Sequence, residues 1–184
     1  MRKIFFILVS LIAFTASAQE AKKWTFGFGV NAIDNTATKD NQYFRVNNWN
    51  MMPFISSFSL DRKFQNNFTV GATFSMNVYD SNTMQNGTVI SRDLTYVALD
   101  ANAKYTFDQH LVDVKWFDAS VVGGAGLALL DGKNNQFFNT GLALDFWFSK
   151  SVGLRLQTLG KFAFDNNKLG NNHIKHSAEI VVKF

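Results

Sequence analysis

The chain has 184 residues, no cysteine, and 18 basic residues against 14 acidic ones. This near balance of charge argues against nucleic acid as a partner. The absence of cysteine excludes disulfides, thiolate metal sites and lipidation of an N-terminal cysteine. Twenty phenylalanines and a single proline favour β-strands, in which aromatic residues are enriched.

The first 18 residues have the organisation of a secretory signal peptide. Two basic residues precede an apolar run over residues 4–16, and Ala16 and Ala18 form the A-x-A pattern that a signal peptidase recognises. The run is too short to span a bilayer as a helix. We therefore expect residues 1–18 to be removed and residues 19–184 to form one domain.

Beyond the signal peptide, apolar residues recur at every second position, which is the period of a β-strand. Eight such segments follow one another, each of roughly 9–13 residues, close to the length that crosses a membrane at a tilt. In the second segment, Pro53 cannot donate a ladder hydrogen bond and is expected to mark the start of the strand. In chain order, the first large apolar residues of the eight outward faces are Trp24, Phe54, Phe68, Val97, Phe117, Leu142, Val152 and Ile174.

The predicted connections alternate in character between long polar segments and a second, generally shorter set. The long set comprises residues 34–48, 80–92, 131–136 and 165–172, and the other set comprises residues 61–67, 108–115 and 149–151. Outer-membrane barrels have long external loops and short periplasmic turns. The pattern predicts an all-β chain that forms an eight-stranded antiparallel up-and-down transmembrane β-barrel in the outer membrane. An even number of strands places both termini in the periplasm.

The two faces of the predicted sheet differ in charge. One face is almost free of charged residues, whereas the other combines small residues with sparse charges. Small residues beside a few long charged ones suit the narrow, filled lumen of an eight-stranded barrel. We expect this lumen to contain a structural salt-bridge network formed by Asp100, Lys104, Asp118, Asp145, Arg155, Lys161 and Glu179.

Folding each predicted hairpin about its turn suggests specific partners within this network. Lys104 comes near Asp118, Asp145 near Arg155, and Lys161 near Glu179, and each pair has opposite sign. Cross-strand neighbours lie ~5 Å apart at Cβ, within reach of such side chains. The shear of the barrel could move each partner by a residue pair.

Strand alternation alone also fits three other classes of protein. These are a soluble periplasmic barrel for an apolar ligand, a narrow channel for ions or small solutes, and a lipid-modifying membrane enzyme. His176, Ser177 and Glu179 have the residue types of a catalytic triad, but alternation places His176 towards lipid and the other two in the lumen. His173 and His176 likewise face opposite sides and make a poor metal pair. We expect no catalytic residue, no cofactor site and no metal site.

The C-terminus resembles the signal that the barrel assembly machinery of the outer membrane recognises, with apolar Ile180 and Val182 before a final Phe184. The chain also resembles the N-terminal barrel of the outer membrane protein A family. The matching stretches are GFGVNAIDN (27–35), YVALDANAKYTF (96–107), FDASVVGGAGLALLD (117–131), GLALDFWFSKSVGLRLQ (141–157) and HSAEIVVKF (176–184). The resemblance covers essentially the whole mature chain.

This resemblance implies a small outer-membrane protein with a structural, adhesive or interaction role, and it names no ligand. The expected partners are outer-membrane lipid and lipopolysaccharide, with the barrel assembly machinery and periplasmic chaperones during biogenesis. Longer family members carry a peptidoglycan-binding domain after the barrel. We expect none here, because the predicted last strand ends at Phe184.

Overall fold

The computed structural model describes residues 23–35, 46, 49–64, 67–85, 88–107, 114–165 and 170–184. The predicted signal peptide and the turn containing His110 lie outside these residues. The eight long strands are β1 (Trp24–Asp34), β2 (Ser57–Lys63), β3 (Phe68–Tyr79), β4 (Leu94–Thr106), β5 (Phe117–Leu130), β6 (Lys133–Trp147), β7 (Val152–Ala163) and β8 (His173–Lys183). Three two-residue strands, Asn50–Met51, Met84–Gln85 and Thr88–Val89, lie in the connections. Within the described residues, no helix is long and apolar enough to cross a membrane.

The eight strands form a closed antiparallel barrel. Each long strand pairs with its neighbours in the chain, and β1 also pairs with β8. The backbones of Trp24 and Phe184 exchange two hydrogen bonds, of 3.1 and 2.9 Å, at one end of the barrel. We call this the terminal end, and the opposite end the loop end. Closure leaves no free edge among the eight long strands that the structure describes, and it confirms the predicted eight-stranded antiparallel architecture.

The second strand starts later than the sequence suggested. Met51 pairs with Ala32 and Ser57 pairs with Gly29, so five residues on this side face two residues of β1. Pro53 therefore lies within a wide bulge and not at the strand start, and that expectation is wrong. Such bulges bend the strand and redirect its side chains. Pro53 fits this position because it has no backbone N–H to leave unpaired.

The connection between β5 and β6 is also shorter than expected. Asp131 and Gly132 form a tight turn with φ values of 50° and 78°, and Lys133–Gln136 already belong to β6. The expectation of a longer loop over residues 131–136 is therefore wrong. An Asp-Gly pair with positive φ at both positions is a frequent two-residue hairpin turn, and it suits the twist of the flanking strands.

The barrel is apolar outside and polar inside. Large hydrophobic side chains are exposed around the outer wall, for example Leu127 at 56% and Leu142 at 52%, whereas Asp100 and Lys161 are fully buried in the lumen. A water-soluble barrel has the opposite arrangement, because burial of apolar surface drives its folding. The predicted assignment of the two faces is therefore confirmed.

Candidate functional site

The lumen contains two groups of ion-paired side chains at different heights. The lower cluster, nearer the terminal end, consists of Asp61, Lys104, Asp145 and Arg155. Lys104 Nζ lies 2.7 Å from Asp61 Oδ2, and Arg155 Nη1 lies 2.5 Å from the same oxygen. The Nε and Nη2 of Arg155 donate to the two oxygens of Asp145 at 2.7 and 2.8 Å. Two parallel hydrogen bonds of this kind fix the orientation of the guanidinium group.

The upper cluster, nearer the loop end, is centred on Asp100. Lys161 Nζ lies 2.5 Å from one carboxylate oxygen, and Lys175 Nζ lies 2.7 Å from the other. The side-chain amide of Asn139 donates to Asp100 at 3.1 Å. Asp100 and both lysines are almost completely shielded from solvent. Since an unpaired buried charge is very costly, the pairing is required for this arrangement to exist.

Two further acidic residues have partners that hairpin folding did not suggest. Glu179 accepts hydrogen bonds of 2.6 Å from the hydroxyl groups of Ser57 and Ser59. Asp118, at the terminal end, accepts a 2.6 Å hydrogen bond from Trp147 Nε1. Lys183 Nζ lies 3.8 Å from Asp118 and 3.4 Å from the centroid of the Trp147 ring. Together these three side chains occupy the terminal mouth of the lumen.

The structure brings together one of the three expected ion pairs. Asp145 and Arg155 stand directly opposite each other on β6 and β7. The pairing of Lys104 with Asp118 is wrong, because Lys104 stands opposite Val122 and its ammonium group reaches over the inner face of β3 to Asp61.

The pairing of Lys161 with Glu179 is also wrong. Lys161 of β7 pairs with Asn139 on β6 and with His173 on β8, and its ammonium group binds Asp100. Asp61, Lys175 and Lys183, which the expected network did not include, also take part in the ion pairs of the lumen. Contacts across the lumen depend on how the barrel closes, and folding neighbouring strands about their turns does not predict that closure.

Glycines make room for the buried carboxylates. A Cβ atom added at Gly71 would overlap the carboxylate of Asp61, and one added at Gly126 would overlap that of Asp100. At Gly27 an added Cβ would lie 2.6 Å from Glu179 Oε2. Each of these inward glycines lies on the strand next to the one that carries the neighbouring carboxylate. They explain why small residues accompany the sparse charges on the lumen face.

Among the residues that the structure describes, the positive and negative side chains that line the lumen are equal in number. The five acidic side chains are Asp61, Asp100, Asp118, Asp145 and Glu179, and the five basic ones are Lys104, Arg155, Lys161, Lys175 and Lys183. Ten such side chains occupy much of the interior of an eight-stranded barrel, which is only wide enough for side chains to fill. The arrangement is therefore a neutral plug rather than a lining of one sign.

An apolar and aromatic layer covers the upper cluster on its loop-end side. Tyr79 and Tyr96 stack with ring centroids 5.7 Å apart, and His173 packs edge-on against Phe137 at 5.1 Å. The imidazole of His173 also lies 3.1 Å from the Tyr96 hydroxyl group and 2.7 Å from the carbonyl oxygen of Asn171. The same layer contains Ile33, Ile90, Leu94, Ala98, Ala128 and Leu130.

Polar side chains from the loops complete the loop end. Gln85, on the short hairpin between β3 and β4, is fully buried and accepts a 2.6 Å hydrogen bond from Asn35. It also contacts Asn50 at 3.2 Å. On the exposed side of this hairpin, the backbone amide of Ser81 donates to Asp93 and holds the pKa of that carboxyl group below its usual value. Gln85 thus joins the described part of this hairpin to the loop end of the barrel.

The residues with catalytic or metal-binding chemistry do not come together. His176 lies on the outer wall, where its ring stacks on Trp49 at 4.6 Å and its Nδ1 lies 3.0 Å from Thr158 Oγ1. Glu179 is buried in the lumen, on the other side of the barrel wall. In the described part of the chain, no three His, Cys, Asp or Glu residues are grouped as a metal site would require. The expectation of no catalytic, cofactor or metal site stays a prediction.

Comparison with known proteins shows which solved structures share this barrel architecture. No protein-family model matches the chain, and no curated protein sequence matches it significantly. Among solved structures, Neisserial surface protein A superimposes with a TM-score of 0.59 and 11% identity, covering 88% of this chain and 96% of that one. The N-terminal barrel domain of Pseudomonas aeruginosa OprF superimposes with a TM-score of 0.55 and 8% identity, covering 87% and 97%.

The chain has the fold of the small outer-membrane β-barrels. At such low identity the likeness concerns the fold, and side chains in the lumen are compared through geometry alone. The resemblance to the outer membrane protein A lineage is confirmed at this level, since the OprF barrel is among the structures that match. The apolar outer wall of this chain agrees with a barrel that crosses a membrane.

Proposed function

We propose that this protein is an integral outer-membrane barrel with a closed lumen and a structural or surface-interaction role. The observation that carries the proposal is the neutral plug of five acidic and five basic side chains in the lumen. A water-filled pore would leave these groups hydrated and separate. Here the members of both clusters bind one another directly, and most are nearly inaccessible to solvent.

The proposal includes an orientation. Phe184 hydrogen-bonds with Trp24 at the terminal end, where two of the three connections between strands have only four residues, as periplasmic turns of outer-membrane barrels do. We therefore assign the terminal end to the periplasm and the loop end to the cell surface. The loop end presents the hairpin Met84–Gln85/Thr88–Val89. This hairpin is the candidate for contact with a surface partner.

The orientation is testable because the chain has no cysteine. Lys133→Cys places a single exposed thiol at the loop end, and Lys150→Cys places one at the terminal end. A membrane-impermeant maleimide should label the first variant in intact cells and the second only after the outer membrane is opened. Labelling of Lys150→Cys in intact cells would reverse the orientation.

The channel is the main alternative, and electrical recording distinguishes it. Purified protein in a planar lipid bilayer should give no steady current at neutral pH, because ion-paired side chains in the lumen would hinder the passage of hydrated ions. A known porin, inserted under the same conditions, provides the positive control. Stable, uniform conductance steps from this protein would refute the closed lumen and favour a narrow solute channel.

The enzymatic alternative rests on His176, Ser177 and Glu179. His176 faces outward while Glu179 faces the lumen, so the base cannot reach the other two groups through the wall. Hydrolysis of acyl chains from lipid A by the purified protein, lost in the Ser177→Ala variant, would overturn the non-catalytic assignment.

A further inference from the structure

A groove of about 290 Å³ runs along the outer wall where β1, β7 and β8 lie side by side. Its floor consists of Val30, Ala32 and Ala178, whose side chains are small or branched. Leu156 and Met51 stand along its sides. The groove is almost wholly apolar, and it lies on the same outer wall that presents large hydrophobic side chains to the membrane.

Trp49 closes the groove towards the loop end. Its indole ring stacks on His176 of β8, with ring centroids 4.6 Å apart and planes 20° apart. Because β1 lies between the short strand Asn50–Met51 and β8, the indole crosses the outer face of β1. His176 is itself held by Thr158 of β7 at 3.0 Å. The bulge after Met51 allows the chain to leave the wall at this point.

The groove changes from apolar to polar in the direction of the loop end. Strands rise about 3.3 Å per residue and tilt by roughly 40°, so each residue advances about 2.5 Å along the barrel axis. Ala178 and His176 therefore lie about 15 and 20 Å above the terminal end, within an apolar band that is about 25 Å tall. Val30 and Ala178, which pair with each other, lie at the depth of acyl chains, whereas Ala32, Trp49, His176 and Thr158 lie nearer the headgroup boundary.

We infer that this groove binds one acyl chain of lipid A. A long acyl chain matches the apolar floor, and its polar end would lie at the height of Trp49, His176 and Thr158. Tryptophan is enriched at this boundary because its ring is apolar and its N–H is a hydrogen-bond donor. The groove is continuous with the lipid-facing wall, so a lipid needs no separate route of entry. The choice of lipid A rests on the proposed orientation, which places the loop end in the outer leaflet.

Native mass spectrometry of the folded chain in detergent, titrated with purified lipid A, tests this inference. The wild-type protein should retain one lipid A molecule. Ala178→Phe fills the floor and Trp49→Ala removes the closing wall, so each should weaken retention at least tenfold. Ala103→Phe is the matched control, because Ala103 is exposed on the outer wall, outside this groove. It should leave retention within twofold of wild type.

Heat-modifiable gel mobility checks that every variant is folded before it is compared. Retention by Ala178→Phe and Trp49→Ala equal to wild type, or no retention by wild type, would overturn the groove as a lipid site. Equal retention of phosphatidylethanolamine with acyl chains of matched length would overturn the assignment to lipid A. None of these outcomes depends on whether the lumen conducts, so failure here is distinguishable from failure of the closed-lumen proposal.

Discussion

Arg155 is the residue whose removal should reveal most about the plug. It donates two hydrogen bonds to Asp145 and one to Asp61, and it is 4% exposed. In the Arg155→Ala variant Asp61 keeps Lys104 at 2.7 Å, but Asp145 loses its cationic partner. Asp145 also stands directly opposite Asp118 on β5, so two like charges then face each other. Breaking a buried pair in this way costs about 3–5 kcal/mol.

Urea unfolding in detergent, followed by tryptophan fluorescence and by gel mobility, measures this loss. The control is Arg92→Ala, which breaks an ion pair with Asp131 in which the arginine side chain is 67% exposed and should cost about 0–1 kcal/mol. Adding Asp145→Asn to Arg155→Ala should recover about 1 kcal/mol or more, because it removes the unpaired charge. If Arg155→Ala destabilises no more than Arg92→Ala, the lower cluster does not stabilise the barrel.

Three further predictions concern packing, the lipid face and assembly. Gly126→Ala places a methyl group where a buried carboxylate now lies and should lower the free energy of unfolding by about 1–3 kcal/mol in the same assay. Gly123→Ala is the control and should be close to neutral, because nothing lies within 4 Å of the added carbon. Equal losses in the two variants would contradict the packing of carboxylates against glycines. Leu127→Arg places a charge on the lipid-facing wall and should lower the free energy of unfolding by about 2–4 kcal/mol, the cost at mid-membrane, whereas Thr95→Arg near the loop end should cost about 0–1 kcal/mol. Unfolding in lipid vesicles measures both losses. A neutral Leu127→Arg would refute the outer-wall assignment. Deleting Phe184 removes both backbone hydrogen bonds with Trp24 and should sharply lower insertion into vesicles that contain the assembly machinery. Normal insertion of the shortened chain would count against the assignment of Phe184 to an assembly signal.

The strands and their two faces were predictable because apolar residues recur at every second position of the sequence. The apolar residues of the outer wall and the charged residues of the lumen follow from it without any knowledge of closure. Local turn chemistry was predictable in principle: Asp131-Gly132 is a strong hairpin signal, yet the polar residues after it suggested a longer loop. Pro53 correctly marked an irregularity, but the sequence does not show that the chain bulges there for five residues.

The ion pairs were less predictable because they cross the lumen. Asp145 and Arg155 were correctly paired, since they face each other on adjacent strands. Asp100 is on β4 whereas Lys161 and Lys175 are on β7 and β8, and these side chains meet only because the sheet closes into a barrel. The inward glycines give a usable signal in retrospect, because Gly71 and Gly126 mark where Asp61 and Asp100 are seated.

The central claim is that the outer wall faces lipid while the charged face is sealed inside. Spin labels on single cysteines test it most directly, and the absence of native cysteine makes the labelling clean. Labels at Leu127 and Leu156, both exposed on the outer wall, should be accessible to oxygen dissolved in the bilayer and shielded from a water-soluble nickel chelate. Labels at their neighbours Ala128 and Gln157, which point inward, should be shielded from both. Access of the nickel chelate to Leu127 and Leu156 would contradict a membrane-spanning barrel, and its access to Gln157 would contradict a sealed lumen.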